Sequence, residues 1–596
     1  MKRLTLFCLA VLAACSLFAL PAHDARYLKV EISYQLNADG SWDMTYKHQV
    51  RLDTYYAFNR ALGETFIVYN PDFQKLEVLK SETTMADGRK VVSPENAFNE
   101  VLPFAAHGFA DFSHLREMVV THVGLERGAV VELAYRIHTR AGFLPVFSGR
   151  EILAKAFPVD SYQLTIIVPA GQALRYRIFG LKAEAEVSST AVEKRFAFPL
   201  ADLRPAAHEP LQPAWAEPFI VFSNAADWGQ ALAMVGNSSQ LPAALVERVE
   251  KLQAQNPDWI DLLAELQKAV AVEVKNCGLG PEALGWQPRR LERVAQGNYG
   301  TRLEKALLLK AMLKKAGIES DLLAIAKGSA FAPDVPTPQQ LGEFWLKVAD
   351  GAGAAFLDPW QEQQEFFPYF PQELDAWNLD VGEMERTLGC PWDRNTVVIS
   401  GAVQLDPAAA SGTLVVAVRG TFNRYNEATA DSGKFITGLL KKIFPVDKVE
   451  IKKLLQLTRK EIRVEATFSG KWLKETGAGF LSVDAIRLPG LSENMVILNK
   501  RESPLALEAP FQVSLKLDLE PAAGVRIEYA APAVERKNGL GYYSLGLVAE
   551  KNGRLRFSAA FGIKKGVVAP AEYPLLRELL MPYFTPDFWL VFKKIK

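Results

Sequence analysis

The sequence predicts a multidomain α+β protein, with an antiparallel β-sandwich first, a helix-rich unit ending in a hairpin second, and a β-rich, sandwich-like domain last. Three observations predict it. At 596 residues the chain exceeds what one hydrophobic core supports, so about three or four domains are expected. Apolar residues alternate with period two over 26–225 and again over 396–596. Between these stretches, over 226–395, the spacing becomes helical.

The chain opens on MKRLTLFCLAVLAACSLFALPAHDA. A basic pair, Lys2 and Arg3, precedes an apolar run to about Leu20, the form of a secretory signal. The run approaches the ~17-residue minimum for a spanning helix, but small residues and Pro21 end it. Leu12-Ala13-Ala14-Cys15 has the form of a bacterial lipobox, which would leave a signal over 1–14 and a lipid anchor on Cys15. Against that, the SLFALP that follows is apolar rather than a polar linker. The competitor is a signal over 1–22 with cleavage near Ala22 or Ala25, although Leu20 or His23 then stands where a small residue is preferred. Either route exports the protein, to the periplasm or the outer membrane. No later segment reaches ~18 uninterrupted apolar residues, so no transmembrane span is expected once the signal is removed.

Over 26–225 the strand candidates are 27–36, 42–52, 129–139, 161–170 and 192–200, punctuated by turn signals at Asn37–Gly40, Asp87-Gly88 and Arg127-Gly128. The Pro-rich 203–218 reads as a linker. Helical spacing follows at 228–237, 241–255 and 259–275. Thr301 and Glu304 form a capping box for a helix over 301–316 that Gly317 stops. A strand over 321–327 and a hairpin over 344–360, turning at Asp350-Gly351, complete the unit. From 396 to 596, β-runs begin at Thr396, Gly412, Ile462, Phe511, Val525 and Gly553, with helices at 434–444 and 575–584.

Charge and cysteine usage narrow the function classes. Lys plus Arg and Asp plus Glu both total 68, which removes the electrostatic case for nucleic acid. Outside the signal only Cys277 and Cys390 remain; a disulfide between them is open in an exported protein, but two cysteines make no scaffold. His107 and His114 lie near Asp111 and Glu117 without the spacing of a metal site, so neither metal nor cofactor is expected.

The order of these units, with Asp39-Gly40-Ser41, the run Met85 to Lys90, and Leu125 to Gly128 leading into Val131 to Tyr135, resembles exported bacterial proteins of the transglutaminase-like superfamily. In these, domain of unknown function 3857 precedes a papain-like core. Arg501, Pro504 and Leu505, then the run Ala569 to Arg577, extend the resemblance to the C-terminal part. The family's nucleophile helix begins Gly-Asp-Cys-Lys-Asp-Lys-Ala; here the stretch is Gly300-Thr301-Arg302-Leu303-Glu304-Lys305-Ala306. The resemblance therefore places Arg302 at the catalytic cysteine's position. The family's strand-initiating His falls within about one position of Glu343, and Asp358, in Leu357-Asp358-Pro359, keeps the third place.

A count supports the loss independently of register. The seven histidines are His23, His48, His107, His114, His122, His138 and His208, so no imidazole lies beyond 208. Cysteine-dependent acyl transfer needs a thiolate and a neighbouring base. Arg302 is also a cation at a helix N-terminus, which costs a few tenths of a kcal/mol up to about 1. A pair between Arg302 and Glu343 or Asp358 would offset that cost and plug the site; the alternative is a guanidinium that snorkels to solvent. The expectation is an exported cell-envelope protein with a catalytically inactive transglutaminase-like core and a protein- or glycan-binding role. The alternative is an acyl-transfer enzyme using a non-standard nucleophile such as Thr301 or Ser329.

Overall fold

The computed structural model of the protein describes residues 23–236, 240–349, 353–477, 479–483, 486–549, 554–584 and 590–595. The signal segment, with its Cys15 lipidation candidate, and the Asp350-Gly351 turn lie outside the described residues.

The N-terminal strands form where alternation predicts them, and Gly40, Gly88 and Gly128 turn the chain with φ of 82°, 85° and 87°. Eight strands build one sheet, in the order 186–189, 193–203, 159–169, 25–36, 42–52, 130–139, 74–84, 90–92. The sheet is mixed rather than antiparallel, because Ala25–Leu36 runs parallel to Val159–Pro169. Alternation reports which face is buried, not which way the neighbour runs. Register places Met44, Tyr46, His48 and Val50 opposite Ile137, Tyr135, Leu133 and Val131 on one face. Two three-stranded sheets cover that face, one packing Phe147, Ile220 and Phe222 onto it and the other Ile67 and Val120.

The central unit is a five-stranded antiparallel sheet, 354–357, 341–349, 321–326, 375–378, 383–386. Helices Ala243–Gln255, Trp259–Ala271 and Arg302–Lys315 cover it through a core that includes Leu263, Leu266, Leu309, Leu313, Phe344 and Leu346. C-terminally, a second eight-stranded mixed sheet, its parallel pair Thr396–Leu405 with Phe511–Pro521, faces a four-stranded sheet across a third core. The helix expected over 434–444 is the second half of Tyr425–Ile443, which breaks at Asp431, whose carboxylate caps Lys434 N–H at 2.8 Å.

The expected linker is instead a fastened strap. Glu209 accepts from the backbone N–H of Glu502 (2.9 Å) and Ser503 (3.0 Å) and faces Arg501 at 3.4 Å. Arg501 donates to Pro210 O at 2.7 Å, and Ala506 N–H donates to Leu211 O at 2.8 Å. Trp215 lies so close on Gly328 that a Cβ there would come within 2.3 Å of the indole.

Candidate functional site

The site grows from the start of the helix Arg302–Lys315. Tyr299–Gly300 pairs in parallel with Lys275–Asn276 and delivers the chain to Thr301, whose side chain caps Glu304 N–H. Glu304 returns the bond to Thr301 N–H at 2.9 Å, completing the capping box. Fully buried, the same carboxylate also takes Arg289 through its backbone N–H (2.9 Å), Nε (2.8 Å) and Nη2 (2.9 Å). Arg289 lies 4.6 Å from the ring centre of Phe112 and 4.4 Å from that of Tyr299, and its other edge reaches Asp111 of the N-terminal unit. The helix start is thus clamped to the neighbouring domain by a desolvated cation held between two acids.

Lys305 sits one turn on and is fully buried. Its ammonium donates to Ala271 O at 3.1 Å, Val274 O at 2.8 Å and the Asn276 side chain. It therefore satisfies carbonyls at the C-terminal end of the helix Trp259–Ala271, where a cation also suits the helix dipole. Burial pushes this lysine down to about 8, against the pull of Asp358. Gly300 packs closely beneath it, a Cβ there coming to 3.1 Å from Lys305 Cγ.

Arg302 projects from the first helical position and pairs through Nη1 with Glu343 Oε2, on the strand Leu341–Ala349. Its guanidinium lies 4.5 Å from the ring centre of Trp360. Burial pushes the Glu343 carboxyl up to about 7, against the lowering pull of Arg302 and with the help of Asp358. Asp358, almost fully buried, is raised by burial, with Trp360 N–H, Arg302, Gln361 and Lys305 opposing. It accepts Trp360 N–H at 2.8 Å rather than bonding Arg302. Helix start, strand start and post-hairpin turn thus converge on one point, with Glu343 in direct contact with Arg302 and Asp358 holding the turn that carries Trp360.

This point opens into a cleft of about 730 Å³ walled by all three units: Arg150 from the first, Trp215 from the strap, Lys327, Trp345, Trp360 and Tyr369 from the second, and Arg424 and Glu508 from the last. Neither cysteine reaches it as a nucleophile. Cys277 is buried with Phe112, Leu115 and Tyr299, and burial pushes its thiol up to about 11. Cys390 is pushed up to about 12 by burial, and both are free thiols rather than a disulfide. Thr301 is spent as the helix cap, and Ser329 is exposed with no side-chain bond to a base among the described residues. Among the described residues no three His, Cys, Asp or Glu converge as metal ligands would.

Sequence reasoning missed Arg289 and Arg150, weighed Asp111 only beside His107 and His114, and took the strap for a linker. Arg289 offered one signal, as a cation in a polar stretch just before an apolar helix; its two acids lie 15 and 178 residues away.

Comparison with known proteins sharpens the fold. Residues 38–207 match a family described as a domain of unknown function with a solved structure, DUF3857, and residues 481–582 match another so described, DUF3858. No curated protein matches the chain. The structure is similar to that of a Parabacteroides distasonis protein provisionally described as a protease: TM-score 0.72, 23% identity, 96% of this chain and 100% of that one covered. That likeness shows a shared fold over nearly the whole chain. Two further solved structures share too little to bear on it. Legionella pneumophila aminopeptidase A with aspartic acid gives TM-score 0.19 and 6% identity over 34% of this chain and 22% of that one. The periplasmic domain of TgpA from Pseudomonas aeruginosa gives 0.17 and 12% over 38% and 77%.

Proposed function

We propose that the protein is an exported cell-envelope protein whose central unit is a transglutaminase-like core without catalysis, serving to bind an envelope protein or polysaccharide. The observation that carries this reading is the Arg302–Glu343 ion pair under Trp360, at the helix start and strand start where the resemblance places a thiol and an imidazole. A guanidinium stays protonated at any working pH and cannot attack a carbonyl. The carboxylate beside it is engaged by that cation, with neither a thiol nor an imidazole next to it among the described residues. Loss of an enzyme's nucleophile leaves the cleft and its aromatic walls, and the two flanking β-rich units add surface for a macromolecular partner. Within this reading the N-terminal signal carries the protein out of the cytoplasm, and Cys15 is the candidate anchor point.

The test is turnover. Purified protein is incubated with a glutamine-rich acceptor protein plus a labelled primary amine, and separately with a peptide library read by mass spectrometry. No amine incorporation and no cleavage are expected above a no-protein blank. Turnover that Arg302→Ala or Glu343→Gln abolishes would return the protein to the enzymes.

A further inference from the structure

Accepting the cleft as a binding site rather than an active site, its unspent charges say what it holds. The other charged groups on its walls are largely occupied. Arg302 is taken by Glu343, Lys327 by Glu282, and Glu365 by Arg394. Glu362 accepts from the Asn426 side chain at 2.7 Å.

Arg150 is different. It sits on the strand Ser148–Ile152, paired opposite Val221, and its guanidinium lies 4.0 Å from the ring centre of Phe219. It is half-buried and lines the cleft, and no carboxylate of a described residue pairs with it. The acid whose field it feels, Glu282, is already bound to Lys327 at 2.6 Å. Burial lowers Arg150 from its ordinary range, with Glu282 pulling the other way. Stacking covers the face of the guanidinium and leaves its N–H edges for a bidentate acceptor. Also on the cleft's walls, Arg424 and Glu508 are exposed, and neither is ion-paired among the described residues. Among the described residues, the wall charges without an ion partner are therefore two cations, Arg150 and Arg424, and two acids, Glu508 and Glu362, the last already holding the neutral Asn426 amide.

We propose that this cleft binds a short acidic peptide, its free carboxylate gripped by Arg150 and its chain lying along the indoles of Trp215 and Trp360. Gln361, whose side chain bonds Asp358, and Gln364, whose side-chain oxygen accepts Asn426 N–H at 2.7 Å, also line the cleft, and their remaining amide groups suit a peptide's donors and acceptors. Glu508 faces the peptide's ammonium end, and Arg424 its acidic side chain. The cleft's ~730 Å³ lies within the ~300–1,000 Å³ of ordinary ligand sites.

The test is calorimetric titration of the purified protein with Ala-Glu-Ala-Ala as free acid, with the same peptide as C-terminal amide, and with trigalacturonate. The free acid should bind one to one, the amide at least tenfold more weakly, and trigalacturonate not detectably. Arg150→Gln should lower affinity for the free acid at least tenfold and erase the acid-over-amide preference, with its thermal transition unchanged. The acid–amide comparison on the unaltered protein needs no variant and decides the matter should Arg150→Gln misfold. Equal binding of acid and amide, no peptide binding at millimolar concentration, or trigalacturonate binding in place of peptide would each overturn the proposal. Recovering the peptide by mass spectrometry keeps the two readings apart. Cleaved peptide would sink the non-catalytic core while leaving peptide recognition standing.

Discussion

Replacing Glu304 by Ala tests how the helix start is held. The carboxylate is fully buried and accepts four hydrogen bonds of 2.8–2.9 Å, three from Arg289 and one from Thr301. Removing it leaves Arg289, only 13% exposed in its side chain, with Asp111 as its remaining acid. Breaking one side of a buried pair costs about 3–5 kcal/mol, and losing the capping box about 1 more. Asp111 retains part of that, so about 4 kcal/mol is expected. For a unit of this size ~2–4 °C is lost per kcal/mol, which predicts a fall of roughly 8–16 °C in the transition that includes the central unit. Differential scanning calorimetry at one fixed scan rate reads it, because a chain of several domains need not unfold reversibly. Adding Arg289→Ala to Glu304→Ala should cost less than the sum of the two single changes, since the first already strands the partner. A Glu304→Ala transition within 2–3 °C of the parent, roughly 1 kcal/mol, would refute the clamp.

Three further outcomes follow from the same geometry. Lys305→Met should destabilise the central unit by about 2–4 kcal/mol, because carbonyls of Ala271 and Val274 lose their donor while the cost of burying an ammonium is relieved. A lysine depressed from 10.5 to about 8 makes stability rise with pH across that window, and chemical denaturation between pH 8 and 10.5 should show the rise vanish in this variant. Glu343 is raised from 4.5 to about 7, so the folded state holds a proton that the unfolded state has lost. Stability therefore falls as pH rises from about 4.5 to 7 and then levels; Glu343→Gln should flatten that fall, and a wild-type curve rising through this window would contradict it. The slope lies below about 1.4 kcal/mol per pH unit, as solvent screens a group more than a third exposed. Finally, Cys277 and Cys390 should react with Ellman's reagent at pH 8 only after denaturant is added, both thiols being buried and raised; immediate reaction of either would place it at the surface.

Much of the local structure was legible in the sequence, for reasons that are themselves local. Thr301 and Glu304 announce a capping box three residues apart, and the box forms. Alternation located Trp42–Leu52 to the residue. Strand Lys448–Leu457 is absent from the β-runs read in the sequence, since register shifts between Ile451 and Lys453 and between Leu454 and Gln456 break the period-two pattern. Parallel neighbours at Ala25–Leu36 and Thr396–Leu405 left no mark, because direction is set by partners over a hundred residues away. The strap at 203–218 read as a linker from its prolines; its partners in the stretch Arg501 to Ala506, some 290 residues on, show that it is fastened.

At the site the same division holds. The absence of any histidine beyond 208 could be counted, and Arg302 and Glu343 are brought into contact. What could not be read was the occupancy of Asp358 by its own turn, the saturation of Lys305 by backbone carbonyls, or an unpaired guanidinium from another domain. Each depends on burial, and burial is a property of the packed chain.

The measurement that bears most directly on the central claim is thiol reactivity in the double variant Arg302→Cys, Glu343→His. A helix N-terminus and an adjacent imidazole both favour a thiolate, which lowers a free cysteine's ~8.5 to ~3.5–7.5 in such surroundings. If these two positions carry the geometry of a retired acyl-transfer site, iodoacetamide should label the introduced thiol with an apparent pKa below about 7.5. It should do so within the cleft, and Glu343→Ala in place of Glu343→His should return the pKa toward that of a free thiol. Labelling with a pKa of about 8.5 or higher in both variants, or none at all, would mean that Arg302 and Glu343 never held those places.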